Sequence, residues 1–572
     1  MKLLMLTVLV LLLGNVLSAQ NEFVIKIHET DDPDGLNPLT FSAANAENIV
    51  DNIYCRLLET NRKTFDLEPA LAVERPVITE LTSGKYKGGM SLTYEIHPKA
   101  TWDNGTPVTA NDYVFTIKAI KHQKTHAQSL RATVEFIDDI VVDESNPKKF
   151  TIYSKQPYFM AEAASGNLVH VLPEYIYDPS GALRNVPFAT LKRIREYTTE
   201  MNTFSDRFNS EEYASDPKYV VGCGPYQLEE WDKGGSITLK KKSDWWGDQV
   251  SDNIHLRAYP DKIIYKIISG STWVLSKMSM GELDIVRNVA PDKFLSAKNS
   301  GEYDHMIDFY NPTQFAYHYL GFNTRNPKLS DKRVREAIAC MVNRDEIIET
   351  VFNGEAVKLN TPISPDKSYY NQSIKGIEYN AKRAKELLNK AGWKDTDGDD
   401  IVDKKINGKV VNMRLKYNYN KGNAARKKIG LLLKDELEKI GIRLDLYPID
   451  FSDLLAVANK RTFEIIALAW VNAPGLDDLK KVWHTSAILE GGSNRVGFGS
   501  SKTDKIIDEI RVTLDEKKRK ELYLAIQREI VAEHPYVFLV VPNEFIMIRK
   551  GLKYPELGPI RPGYVTRLFQ RE

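Results

Sequence analysis

The sequence predicts an α/β protein. Short apolar or alternating runs recur between helical patterns along almost the whole chain. Residues 263–268, 271–280 and 282–286 read as strand, helix and strand, a unit that calls for a parallel sheet with a crossover helix. The composition agrees: 572 residues, 42% hydrophobic and 27% charged, describe a globular chain of roughly three to four domains.

Residues 1–19 carry Lys2, an apolar run over 3–13 and small residues at Ser18 and Ala19. The run is too short to span a bilayer and reads as a secretory signal peptide. No cysteine lies near the cleavage point, so no lipoprotein anchor is expected and the mature protein is expected in the periplasm. The 78 basic and 77 acidic residues leave no excess charge for nucleic acid or a membrane surface. A monomer is expected. Cys55, Cys223 and Cys340 are too few for a disulfide framework; one bridge at most can form, and Cys340 reads as a buried thiol.

In chain order, 23–27 alternates as a first strand, and the Asp/Pro/Gly cluster at 31–38 is a turn. Ser42 can cap a helix over 43–58. Residues 92–96 form a strand. Thr109, with Asp112 three residues on, starts a helix in a weak variant of the capping box. Strands follow near 137–142 and 149–153. At 221–246, VGCGPYQLEEWDKGGSITLKKKSDWW reads as a hairpin, 226–231 against 236–241, turning at Lys233-Gly234-Gly235. Further on, 317–323 is a strand, 331–348 an amphipathic helix, 381–391 a helix, 410–419 a strand and 424–440 a helix. Strands at 443–446 and 463–469, two helices over 502–532, a strand at 536–541 and an irregular tail complete the chain.

Seven segments resemble, in order, the extracytoplasmic solute-binding proteins of ABC importers, family 5, the oligopeptide/dipeptide/nickel-binding class. They are DPDGLNP, LEPALAVE, LTYEIHPKATWDNGTPVTANDYVFT, GCGPYQLEEW with its following SDWW, GELDI, LGFNTRNPKLSDKRVREAIACMVNRDEII and YNAKRAKELLNKAGW. The resemblance implies a two-lobed periplasmic binding protein fold of the type II, large three-domain subclass, with a hinge between the lobes. It places lobe I at 20–65, 205–290 and 535–572, an inserted domain at 66–204 and the second lobe at 291–534. It also implies capture of a peptide or similar solute, lobe closure and delivery to an ABC permease.

Candidate binding residues concentrate at 463–475, FEIIALAWVNAPG. An apolar strand ending in Trp470 and Asn472 puts an aromatic ring and an amide at a strand end, where α/β clefts form. Relatives hold an Asp three residues after this Trp, pairing with a peptide's α-ammonium; here that position is Ala473. Either Asp477 or Asp478 substitutes, or the ligand has no free N-terminus there, because an unpaired buried ammonium is costly. Phe451 matches another pocket aromatic of some relatives. Phe41, Ser42 and Asn45 match a loop that contacts extended peptides, and Asn494 lies in a recurring Gly-rich segment. Core packing or turn chemistry is the alternative at each.

Asp395, Asp397, Asp399 and Asp403 place oxygens as at the start of a Ca²⁺ loop. Asp400 stands where that loop needs Gly, and Ile406 where it needs Glu. A polar turn, with no resident cofactor, is the competing expectation. His122 and His126, four apart, read as a solvated helix face rather than a metal site. No Gly-x-Ser-x-Gly, His-Glu-x-x-His or phosphate-binding loop is present, so an enzyme has no positive support. A secreted hydrolase, or a sensory or chaperone-like binder on the same scaffold, are the alternatives.

Overall fold

A computed structural model describes residues 22–41, 43–250, 252–269, 273–287, 289–488, 492–554 and 557–572. The signal-peptide expectation and Ser42 fall outside these residues. Two large sheets dominate. The first has seven strands in the order Ile307–Tyr310, Ile546–Arg549, Ile285–Arg287, Val24–Glu29, Lys262–Ile267, Ser236–Lys241, Tyr226–Asp232. The second has six, in the order Ala356–Lys358, Tyr536–Pro542, Ala316–Phe322, Ile465–Val471, Arg414–Asn420, Arg443–Ile449.

The β–α–β reading is observed. Lys262–Ile267 and Ile285–Arg287 flank Val24–Glu29, both parallel to it, with the helix Val274–Ser279 between them in sequence. The hairpin forms as expected. Gly234 has φ +78°, a left-handed conformation that glycine adopts without strain. Asp32, in the early turn cluster, accepts from Trp231 Nε1 at 2.9 Å and from the Gly234 amide at 2.6 Å. The tail is not irregular throughout. Ile546–Arg549 enters the seven-stranded sheet one strand in from its edge, antiparallel to both neighbours, and buries Ile546, Met547 and Ile548. A four-residue apolar strand leaves no periodicity long enough to register in the sequence.

Between residues 66 and 204 a separate four-stranded sheet, ordered Val77–Glu80, Met90–Glu95, Lys149–Ser154, Asp139–Val142, packs with the helix Ala110–Lys121. Asp112 accepts from the Thr109 amide at 2.8 Å and its hydroxyl at 3.0 Å, so the N-terminal capping expectation holds. The helix stops at Lys121, so His122 and His126 share no helical face. His122 is instead fully buried, stacked on Tyr197 at 4.3 Å and edge-on to Phe204 at 5.7 Å.

Beside the six-stranded sheet, the helix expected over 331–348 is two, Lys332–Ala339 and Arg344–Val351. Asn343 caps the second by accepting from the Glu346 amide, a break that the continuous apolar stripe hides. The strand expected at 410–419 is a small hairpin, Asp403–Ile406 with Lys409–Asn412, followed by Arg414–Asn420. Expected lobe limits at 290 and 535 do not coincide with sheet membership. Ile307–Tyr310 still belongs to the seven-stranded sheet, and Tyr536–Pro542 to the six-stranded one. The chain crosses between the sheets at 311–315 and 543–545, where Thr313 and Asn543 bridge.

Candidate ligand site

Three parallel strands of the six-stranded sheet, Arg414–Asn420, Arg443–Ile449 and Ile465–Val471, end on one edge. The last turns there because Pro474 and Gly475 follow its apolar run. Trp470, partly buried, lies across from Tyr317 in the antiparallel register. Its ring is parallel to that of Tyr319, centroids 6.3 Å apart, and Tyr319 stacks on Tyr536 at 4.0 Å. The Trp470 Nε1 donates to the Tyr536 hydroxyl at 3.3 Å. The Arg495 guanidinium lies 5.1 Å from the Trp470 ring, a cation–π contact. The site edge is therefore an aromatic tier with one cation on its outer ring.

Asn472 continues this edge. Its amide donates to the Phe315 carbonyl at 2.7 Å, on the chain that crosses between the sheets. The Phe315 ring meets Phe65 edge-on at 5.0 Å. Phe65 has φ +63°, a conformation that costs a bulky residue energy, and this contact helps to hold it. The Trp470–Asn472 edge thus abuts the boundary between the two sheets.

Asp477 is already occupied. Lys367 donates to its carboxylate at 2.8 Å and the Tyr369 hydroxyl at 3.0 Å. Only 2% of the Lys367 side chain is exposed. Burial pulls its ammonium below the ordinary lysine value, and Asp477 opposes that fall. Asp477 therefore supplies no spare charge for a ligand's ammonium. Asp478 is likewise paired, with Arg511 at 3.2 Å.

Phe451 stands two strands away on the same edge, 54% exposed at the start of the helix Phe451–Lys460. Asn494 does not face a ligand. It is fully buried, donates to the His484 and Phe498 carbonyls and accepts from the Phe498 amide, closing its own loop. Beside the seven-stranded sheet, Phe41 packs partly buried on the core. The Asn45 side-chain amide donates to the Asp31 carbonyl at 2.7 Å, bracing the turn cluster.

Of the acidic loop, Asp395, Asp397 and Asp403 bring carboxylate oxygens within 4.8 Å of one another. Asp399 is turned away, accepting from the Ile401 amide and from Asn412 Nδ2. Asp395 accepts from the Gly398 and Asp400 amides, and Asp403 from the Thr396 amide and hydroxyl. These carboxylates satisfy their own backbone, as the turn reading expects.

A cavity of about 180 Å³ lies away from this edge, lined by Asp51, Asn52, His255, Arg561, Tyr564 and Arg567 among others. Burial pushes the Asp51 carboxyl up, but Arg56 at 2.8 Å and His170 at 2.9 Å outweigh it and hold it at about 2.

Residues 67–485 match the family described as bacterial extracellular solute-binding proteins, family 5 (middle). The chain belongs to this family. Among family 5 relatives, the oligopeptide-binding protein AppA of Bacillus subtilis (strain 168) is 26% identical over 528 residues, 92% of this chain and 87% of its own length. The dipeptide-binding protein of Escherichia coli (strain K12) is 21% identical over 546 residues, 92% of this chain and 91% of its own. The solved structure of AppA from Bacillus subtilis with a nonapeptide superposes with TM-score 0.71 at 23% identity, covering 96% of this chain and 99% of that one. NikZ from Campylobacter jejuni with Ni(L-His) gives 0.70 at 20% identity, covering 93% and 94%. The family 5 chain therefore has the two-lobed periplasmic binding protein fold, as the sequence resemblance implied.

Tyr319, Tyr536, Arg495, Phe315 and Lys367 escaped sequence reasoning. Tyr319 and Tyr536 meet only through strand pairing across more than two hundred residues. Arg495 adjoins a singled-out residue, Asn494, but no local pattern directs it toward Trp470.

Proposed function

We propose that this chain is the substrate-binding component of an ABC importer, holding a peptide or similar small solute between its lobes and passing it to a membrane permease. The observation that carries the reading is the strand end at Trp470 and Asn472, an open aromatic tier that abuts the lobe boundary. Relatives supply the ligand class: the AppA structure holds a nonapeptide, and the DppA structure from Helicobacter pylori holds the peptide STSA. Backbone hydrogen bonds and aromatic walls would provide affinity for varied sequences.

In this reading the protein is exported by residues 1–19, acts in the periplasm as a monomer, binds no nucleic acid and changes its ligand chemically not at all. Lobe I takes the segments before and after the inserted domain, and Phe41 and Asn45 face the same cleft as Trp470, Asn472 and Phe451. No resident cofactor takes part, and the Asp395–403 loop is a self-capped turn.

Mass spectrometry of ligand released from freshly purified protein, followed by titration calorimetry with the peptides found, tests the reading. Co-purifying peptides that bind again in calorimetry support it. Cleaved peptides accumulating over many turnovers would favour the hydrolase instead.

A further inference from the structure

The cysteines of this chain are all buried: Cys55, Cys223 and Cys340. Two of them meet. Cys55 follows the helix Ala44–Ile53, just before the chain runs out into the 66–204 segment. Cys223 lies where the chain returns, just before the strand Tyr226–Asp232. The glycines on either side of Cys223 make this meeting possible. A Cβ at Gly222 would lie 2.2 Å from the Ile53 carbonyl oxygen, and one at Gly224 2.7 Å from it. No larger residue fits either place without displacing the backbone. The Gly224 amide donates to that same carbonyl at 2.8 Å. The returning segment therefore lies directly on the end of the helix. The Cys223 side chain is thereby set beside Cys55, two residues beyond Ile53, in the same core, and its thiol senses both the thiol and the backbone of Cys55.

Both partners are held in place. The Val171 amide donates to the Cys55 carbonyl at 2.9 Å. Trp245 Nε1 and Trp246 Nε1 both donate to the Cys223 carbonyl. Both cysteines belong to one core, whereas Cys340 belongs to another, beside the six-stranded sheet.

We propose that Cys55 and Cys223 are a disulfide-forming pair that locks the neck of the inserted domain. Each thiol gives up one proton and one electron as the S–S bond forms. The two electrons and two protons pass to the disulfide of a thiol–disulfide oxidoreductase, which leaves as a dithiol. Oxidation occurs while the chain folds, because the finished core leaves Cys223 fully buried. The resulting ring runs from residue 55 to residue 223 and encloses the entire 66–204 segment. A ring of that length removes much conformational freedom from the unfolded chain. Its physiological use rests on the export proposed above, since persistent bridges belong to oxidising compartments; the chemistry itself is tested independently of location.

The full chain is refolded in a buffer of glutathione and glutathione disulfide, denatured, and alkylated before and after reduction. One alkylated cysteine before reduction, mapped to Cys340, and three after it are expected. With the bridge intact, reductant should lower the thermal midpoint by about 3–8 °C, and that shift should vanish in Cys55→Ser. Three alkylated cysteines before reduction, or a bridge that uses Cys340, overturn the proposal. The wild-type count requires no variant to fold. Separate fractionation of cells expressing the full chain tests export: protein confined to the cytoplasm refutes that reading without altering the glutathione result.

Discussion

Trp245 and Trp246 donate their indole N–H groups to a single acceptor, the carbonyl oxygen of Cys223, each at 2.9 Å. Both rings are almost fully buried. The pair thereby pins the segment that returns from the region of the four-stranded sheet, and neither ring is free to meet a ligand. Replacing either by Phe leaves the carbonyl one donor and should cost about 1–2 kcal/mol. The double variant Trp245→Phe with Trp246→Phe strands a buried carbonyl and should cost more than the sum. Urea denaturation of the three variants measures the excess; strict additivity would mean that the shared acceptor carries no coupling.

Trp470→Ala should weaken peptide binding about tenfold or more, which is ~1.4 kcal/mol or above. The ring is only partly buried, at the end of its strand, so the fold should persist. Calorimetry gives the affinity and circular dichroism the fold. An unchanged affinity with an intact fold would place the ligand on another face.

Lys367→Met should destabilise by about 3–5 kcal/mol, because it abandons the Asp477 carboxylate in a largely buried setting. Adding Asp477→Asn should recover a large part of the loss. Tyr369, which also donates to this carboxylate, can still donate to the amide oxygen. Chemical denaturation of wild type, single and double variants gives the coupling. A single variant as stable as wild type would show that the ion pair is dispensable.

Acidification should destabilise the protein well before its carboxylates protonate. Burial, reinforced by Arg131 and Lys124, lowers His122 to about 4; burial, reinforced by Arg426, lowers His318 to about 4. In the unfolded chain both titrate near 6.5. Between these values the unfolded chain binds more protons, so stability is full above pH 6.5 and falls toward pH 4. Each histidine should contribute on the order of 2–3 kcal/mol across that window. His122→Phe, which keeps an aromatic ring against Tyr197, should flatten the decline. Urea midpoints at several pH values check this, and an unaltered slope would relieve His122 of the role.

Ca²⁺ should leave the thermal midpoint unchanged, because the carboxylates of residues 395–403 already accept hydrogen bonds from their own loop. A midpoint that rises with Ca²⁺ in calorimetric scans would make the loop a cation site.

Much was legible in the sequence because the signals are local. The hairpin at 226–241 declares itself by alternation and by Lys233-Gly234-Gly235. The Thr109 and Asp112 pairing follows from spacing alone. Seven ordered segments point to the family, and the match over residues 67–485 agrees. Short apolar pieces were harder: Ile546–Arg549 is too brief for any period, and its place in the sheet depends on neighbours more than two hundred residues earlier.

The sequence by itself determined the α/β class, the family and the strand end at Trp470, because each rests on periodicity or on contiguous motifs. Only the tertiary structure decided which charges and rings remain available there. Asp477 looked free until folding brought Lys367, 110 residues earlier, within 2.8 Å. Asn494 matched a ligand-site segment, and only the folded loop showed its side chain buried on the His484 and Phe498 carbonyls. Arg495 and Tyr319 became neighbours of Trp470 only through sheet pairing and loop return. Desolvation and pairing depend on which distant groups share a buried volume, and linear spacing does not encode that.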